Sequence, residues 1–204
     1  MDDSLNKETL TIEHYENNAE AFWDGTKDHD VSQNIQSFLD ALPKKTPLNI
    51  LDLGCGPGRD MQHFKSLGHN PIGLDGSKIF CEMATAYTGC LTINESFVNM
   101  DLSGHKFHGI FANASLFHVP ANELLIVLKK LRDYLLPGGI LFTSNPRGNE
   151  ESWHGQRYGH YLELEPSKAY LDQAGFNVLH HYYRPEGKPI EQQPWLAIVS
   201  QRIS

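Results

Sequence analysis

The chain predicts an α/β fold, a doubly wound and mostly parallel sheet behind a helical N-terminal extension. Two observations carry this expectation. From residue 48 onward, short apolar runs alternate with amphipathic stretches of helix length, the pattern of parallel strands joined by crossover helices. A glycine turn, Gly54-Cys55-Gly56-Pro57-Gly58, closes the first run, and an acidic residue, Asp75, closes the second.

The elements follow in order. Residues 9–42 read as helical, because Ala19, Phe22, Trp23, Ile35, Phe38, Leu39 and Leu42 recur at helical spacing. Pro43 and Pro47 end that segment. Ile50, Leu51 and Leu53 form the first buried strand. A helix over 59–67 stops at Gly68, a second strand spans 70–74, and a helix follows over 78–87. Residues 91–93 and 107–113 are the third and fourth strands. The stretch 122–135 turns Leu124, Leu125, Leu128, Leu131 and Leu135 to one face, as an inward-facing helix does. A fifth strand spans 139–144. Residues 145–161 are rich in Asn, Gly, Arg, His and aromatics with weak periodicity, so a loop is expected there. A helix over 166–174 is capped by Gly175, and strands over 178–183 and 195–201 close the chain.

Composition narrows the function. The chain has 204 residues, 40% of them hydrophobic and 21% charged, which suits one soluble domain. A net charge of −8 argues against nonspecific nucleic-acid binding, which needs a basic footprint. No apolar run approaches the length of a membrane span, and the polar N-terminus is not a secretory signal. Three cysteines (Cys55, Cys81, Cys90) without a C-x-x-C pair suit reduced thiols in a cytoplasm. The oligomeric state is not legible.

Glycine spacing decides the ligand class. A dinucleotide fingerprint reads G-x-G-x-x-G and opens onto a pyrophosphate. Here the spacing is G-x-G-x-G, and Asp52 precedes the first glycine by two positions. An anion there repels a pyrophosphate and favours a cationic group. Gly54 and Asp75 lie 21 positions apart, close to the separation at which a second-strand carboxylate meets a ribose. A nucleoside-containing cofactor therefore belongs at the ends of the first two strands.

Leu51-Asp52-Leu53-Gly54-Cys55-Gly56-Pro57-Gly58, Gly73-Leu74-Asp75 and Leu135-Leu136-Pro137-Gly138-Gly139-Ile140-Leu141 occur in an order that resembles the class I S-adenosylmethionine-dependent methyltransferases. That resemblance implies a Rossmann-like sheet of seven mostly parallel strands whose last strand is antiparallel. It implies one methyltransferase domain over 1–204, with 1–47 as a helical lid and 48–204 as the core, its substrate-side loop near 145–161. It implies S-adenosylmethionine as cofactor and S-adenosylhomocysteine as product. Contacts would come from the first turn (Asp52, Gly54, Cys55, Gly56, Gly58, Arg59) and the second (Asp75, Gly76, Ser77). Ser96 and Phe97 would follow the third strand, and Asn113 and Ala114 end the fourth. Asp75 would accept both ribose hydroxyls.

Two positions depart from the family pattern. After the third strand, where an aspartate commonly faces the adenine amino group, this chain reads Asn94-Glu95-Ser96-Phe97. A serine hydroxyl can accept one such hydrogen bond, and Glu95 or Asp101 are the alternatives. His108 stands where aspartate is usual, and it reads as structural.

The acceptor end is less constrained. The fourth strand lacks Asn-Pro-Pro-Tyr, the mark of amino-methyltransferases acting on bases, and resembles small-molecule methyltransferases near tellurite-resistance and quinone-pathway enzymes. His118 is the candidate general base, with packing over the cofactor or capping the next helix as the alternative. In-line methyl displacement can rest on alignment and desolvation, so no triad is required. His14-Tyr15-Glu16 and the stretch from Phe22 to Asp30 resemble the family's lid. Trp23, Arg147, Arg157 and Tyr158 are candidate substrate residues, with Trp153, Tyr161, Tyr182, Tyr183, Arg184 and Trp195 nearby in the tail. Arginines beside aromatics suit a small acceptor with a carboxylate. No metal site is expected: His180 and His181 point to opposite strand faces, and His154 and His160 lack partner ligands at metal spacing. A protein or RNA acceptor, a non-catalytic cofactor-binding module and a nucleotide-dependent oxidoreductase are the other readings.

Overall fold

The computed structural model describes residues 3–203, with side chains from residue 6. Residues 1, 2 and 204, the ends of the expected domain span, lie outside the described residues. The strands are β1 (Asn49–Leu53), β2 (Asn70–Asp75), β3 (Thr92–Asn94), β4 (Phe107–Asn113), β5 (Leu135–Pro146), β6 (Glu150–His154), β7 (Arg157–Tyr161), β8 (Phe176–Arg184) and β9 (Trp195–Arg202). Seven of these form one sheet in the order β3-β2-β1-β4-β5-β9-β8. The first five run parallel, and β9 is antiparallel to both β5 and β8. The predicted doubly wound, Rossmann-like, seven-stranded sheet with an antiparallel last strand is what forms. Strand order reverses between β1 and β4, and that reversal opens a crevice at their carboxyl ends.

Helices cover both faces. The region expected to be helical over 9–42 divides into α1 (Asp3–Asn17), α2 (Ala19–Thr26) and α3 (Ser32–Ala41). α4 (Arg59–Ser66), α5 (Lys78–Thr88), α6 (Ala121–Tyr134) and α7 (Leu164–Ala174) follow the strands. Ile35 and Phe38 of α3 and Phe64 of α4 pack on Phe111 and Phe142 of the sheet. On the opposite face, Leu124, Val127, Leu128 and Leu131 of α6 and Leu171 of α7 pack on Leu51, Leu53 and Ile110. Each such side chain stabilises by about 1.5–3 kcal/mol when fully buried. The Phe38 ring lies 5.3 Å from that of Phe111 and 5.7 Å from that of Phe64.

Three local details differ from the expectation or sharpen it. The Pro-Gly-Gly turn is absorbed into β5 as an irregularity: Leu135 pairs with Phe107, and pairing resumes at Ile140 with Gly109. His108 Nδ1 accepts the Asn49 N–H at 3.0 Å, a structural role. The expected loop over 145–161 is in large part a hairpin, β6 paired antiparallel with β7 through a two-residue turn, Gly155-Gln156. Gly155 has positive φ (67°), as such turns require.

That hairpin seats α1. The Thr11 hydroxyl accepts the Tyr158 N–H at 3.0 Å, and Lys7 pairs with Glu151 at 2.9 Å. On the other side, Glu16 accepts the Lys78 N–H at 2.8 Å at the start of α5. α1 thus bridges the hairpin and the sheet's carboxyl edge. Among the described residues no helix is long and apolar enough to cross a membrane.

Candidate functional site

A cavity of about 650 Å³ opens at the carboxyl ends of β1, β2 and β4, under α1 and α2. Its floor is the glycine turn. Gly54 has φ 75°, and a Cβ there would stand 2.4 Å from Ser115 Cβ, so no other residue fits without displacing the loop after β4. Ser115 donates its hydroxyl to the Leu53 carbonyl at 2.6 Å, tying that loop to β1. Gly58, at φ 94°, faces Ala84 of α5 instead and starts α4.

Asp75 ends β2 beside this turn. Its Oδ2 accepts the Gly56 N–H and its Oδ1 the Ser77 N–H, each at 2.9 Å. Burial pushes its carboxyl up to about 6, although the two backbone donors pull the other way. Ser77 is buried and caps α5 by accepting the Phe80 N–H. It therefore orients Asp75 without lining the cavity. Asp52 also lies beneath the floor. It is buried, its Oδ2 has no protein partner, and burial followed by the neighbouring Asp60 raises its carboxyl well above the usual range.

Arg59 is not free to meet a phosphate. It pairs with Asp60 through two bonds of 2.7 and 3.0 Å and donates to the Thr26 carbonyl. Asp60 also accepts from Asn113 at 3.2 Å, whose own oxygen accepts from Asn34 at 2.9 Å. Ala114 follows with φ 61°, the one non-glycine residue at positive φ among the described residues. Such strain concentrates where loops are held for a ligand.

The roof is aromatic. Tyr15 of α1 packs edge-on against Phe22 of α2 and beside Phe80 of α5. Its hydroxyl lies 2.8 Å from His118 Nε2. His118 Nδ1 lies 2.6 Å from the Tyr158 carbonyl. A carbonyl only accepts, so Nδ1 carries the proton and Nε2 accepts the Tyr15 O–H. Burial, more than any charge, lowers the His118 imidazole to about 4, so it is neutral at physiological pH.

The expected site residues divide clearly. Gly54, Cys55, Gly56, Arg59, Asp75, Gly76, Ser96, Phe97, Asn113, Ala114, His118, Trp23 and Arg157 line the cavity. Asp52, Gly58 and Ser77 support it from behind. Arg147 and Tyr158 lie away from the lining. Arg147 pairs with Glu163 at 3.1 Å, donates to the Ile190 and Gln193 carbonyls, and stacks over Tyr183. Tyr158 is buried, with Lys7 over its ring and Trp153 edge-on. Tyr182 donates to Asn34, while Arg184 and Trp195 reach the cavity. Glu95 accepts the Asp101 N–H and Asp101 the Ser103 N–H, so both serve their own loop.

Sequence reading missed Glu8, Thr11, Ile12, Phe80 and Ser115 in the lining. A signal for the first three existed: with Tyr15 they fall at i, i+3, i+4 and i+7, one face of α1. Among the described residues no group of His, Cys, Asp and Glu could hold a metal ion.

A family model described as a methyltransferase domain matches residues 25–181. The trans-aconitate 2-methyltransferase of Paracidovorax citrulli is 29% identical over 125 residues, 57% of this chain and 46% of that protein, so the match spans about half the length of that curated relative. The 1,6-didemethyltoxoflavin-N1-methyltransferase of Burkholderia thailandensis, solved with 1,6-didemethyltoxoflavin and S-adenosylhomocysteine, aligns at TM-score 0.80 and 17% identity over 100% of this chain and 92% of its own. A TehB-like S-adenosylmethionine-dependent methyltransferase of Corynebacterium glutamicum aligns at TM-score 0.71 and 17% identity over 93% and 98%. At these identities the solved structures speak for the fold. With the family match added, the chain belongs to the methyltransferase-domain family.

Proposed function

We propose that the protein methylates a small acceptor bearing a carboxylate, by in-line displacement in the cavity beneath α1 and α2. The observation that carries this reading is Asp75 beside a glycine turn whose nearest cation, Arg59, is already paired with Asp60. Hydroxyls and a cationic group suit that floor, and a pyrophosphate does not. The residues fit S-adenosylmethionine: Asp75 would take the ribose hydroxyls and Phe97 the adenine face. The cofactor supplies a sulfonium-activated methyl group.

The chain's own part is alignment and exclusion of water. α1 and α2, within the 1–47 extension, act as the lid of one domain over 1–204. His118 reads as the residue that orients the Tyr15 hydroxyl, because a neutral imidazole held near 4 is a weak proton acceptor at neutral pH. Arg157, exposed and beside the Tyr15 ring at 6.0 Å, is positioned for an acceptor carboxylate. The likeness to a trans-aconitate 2-methyltransferase and a 1,6-didemethyltoxoflavin-N1-methyltransferase supports a small-molecule acceptor. Three unpaired cysteines support a reducing compartment such as the cytoplasm.

Calorimetric titration tests the reading. S-adenosylmethionine and S-adenosylhomocysteine should bind saturably, NADH should not, and Asp75→Ala should abolish or strongly weaken binding. A folded wild type that binds neither sulfur ligand would overturn it.

A further inference from the structure

The adenine end of the cavity lacks the carboxylate that the loop after β3 would ordinarily supply, and Glu95 and Asp101 are both engaged within that loop. A different carboxylate stands there. Glu8, on α1, lines the cavity together with Ser96 and Phe97. The Ser96 hydroxyl and the Val98 backbone lie near enough to its carboxyl to favour the ionised form. Its position on the helix face shared with Thr11, Ile12 and Tyr15 aims it inward rather than at solvent. α1 lies ahead of the stretch that the family model matches.

We infer that Glu8 reads the 6-amino group of the cofactor's adenine, a carboxylate delivered by the lid helix instead of by the sheet. The inference rests on the cofactor reading above. A carboxylate beside the Ser96 hydroxyl still has lone pairs to accept from an amine. Burial raises the Glu8 carboxyl, with Glu123 adding a like charge, and an amino donor brought to it would favour the ionised form. Recognition and lid closure then share one residue: the adenine can be read only when α1 lies on its seat, where Thr11 meets Tyr158 and Glu16 meets Lys78.

The test compares S-adenosylhomocysteine with its analogue carrying hydrogen in place of the 6-amino group, by calorimetry on the full chain. Wild type should prefer the natural ligand by about tenfold or more, the worth of one hydrogen bond to a charged group. Glu8→Ala should lose that preference, binding the natural ligand more weakly and the analogue unchanged. Glu8→Gln, which keeps a neutral acceptor oxygen, should retain part of it, and it carries the test should the alanine variant fail to fold. Equal wild-type affinity for the two ligands, or an undiminished preference in the variants, would overturn the inference. A variant that weakens both ligands alike would show Glu8 only anchoring the lid and would overturn it too. Wild type binding neither ligand would instead count against the cofactor reading.

Discussion

The Tyr15 hydroxyl donates to His118 Nε2 across 2.8 Å, joining the N-terminal helix to the turn after β4. Behind it, His118 Nδ1–H is held by the Tyr158 carbonyl at 2.6 Å, and the Tyr158 N–H returns to Thr11 on the same helix as Tyr15. The contacts form a closed circuit: α1, post-β4 turn, hairpin, α1. One consequence is that the tautomer of His118 is set by backbone, so Nε2 faces the roof as an acceptor. The Tyr15 proton is committed to His118, and its oxygen faces the Arg157 guanidinium.

This circuit predicts coupled variants. Tyr15→Phe keeps the ring against Phe22 and Phe80 but strips the donor from His118. We expect cofactor affinity to change by less than about threefold and kcat to fall by about tenfold or more, since small misplacements are costly in alignment-driven catalysis. His118→Ala should do the same, and the double variant should lose little more than either single one. Additive losses would mean that the two residues act separately. The kcat–pH profile of the wild type should show no inflection near 6.5, because His118 is already neutral there. An inflection at that pH, absent in His118→Ala, would restore the general-base role.

Asp75 predicts a pH dependence of binding. Burial holds its carboxyl at about 6, above the ordinary 3.8. Between those values the folded protein binds a proton that the unfolded chain has released, so this group's contribution to stability declines as pH rises through that window. Ribose hydroxyls donate to the ionised form. Binding therefore expels the proton and strengthens with rising pH, by up to about tenfold per unit below 6, then levels off. Asp75→Ala should remove the slope and cost about 1.5–3 kcal/mol of affinity at neutral pH. Affinity independent of pH between 5 and 7 in the wild type, or affinity within twofold of wild type in the variant, would sink the assignment.

Features whose cause is local were legible before the structure. Gly54 must take positive φ at a strand end, Asp75 must end a strand of fixed length, and the leucines of α6 repeat over many turns. Features set by distant partners were not. Residues 150–161 carry a hairpin turn at Gly155-Gln156, but the strands are held by α1 through Thr11 and Lys7, more than a hundred positions away. Glu8 lies just ahead of the stretch expected to be helical, and only the fold places it beside Ser96 and Phe97 after β3. The arginines of the tail show the same limit. Arg147 and Arg157 share a stretch and a chemistry, and only the fold decides that one binds the protein and the other lines the cavity.

Thr11→Val tests the seat of the lid alone. The change conserves shape and removes one oxygen, leaving the buried Tyr158 N–H without its partner. The expected cost is about 1–3 kcal/mol, the penalty for orphaning a buried donor. Urea titration should show it as a lower midpoint at unchanged slope. Unchanged stability would mean that water reaches Tyr158 and that α1 is not held through this bond.

The two arginines supply the sharpest separation of structure from recognition. Arg147→Ala removes an ion pair with Glu163, two bonds to carbonyls of the segment before β9 and a stacked contact with Tyr183. It should lower stability by about 1–3 kcal/mol and leave KM for the acceptor within about twofold. Arg157 is exposed at the cavity mouth, so Arg157→Ala should leave the unfolding midpoint unchanged. It should raise KM for a carboxylate acceptor by about tenfold or more, the worth of a charge-assisted contact. Arg157→Lys should recover only part of that, since an ammonium cannot grip a carboxylate through two parallel bonds. A carboxylate acceptor whose KM ignores Arg157 would remove the carboxylate from the proposed substrate class while leaving methyl transfer itself untouched. The reverse result, KM rising in Arg147→Ala and not in Arg157→Ala, would mean that the acceptor enters from the β9 side.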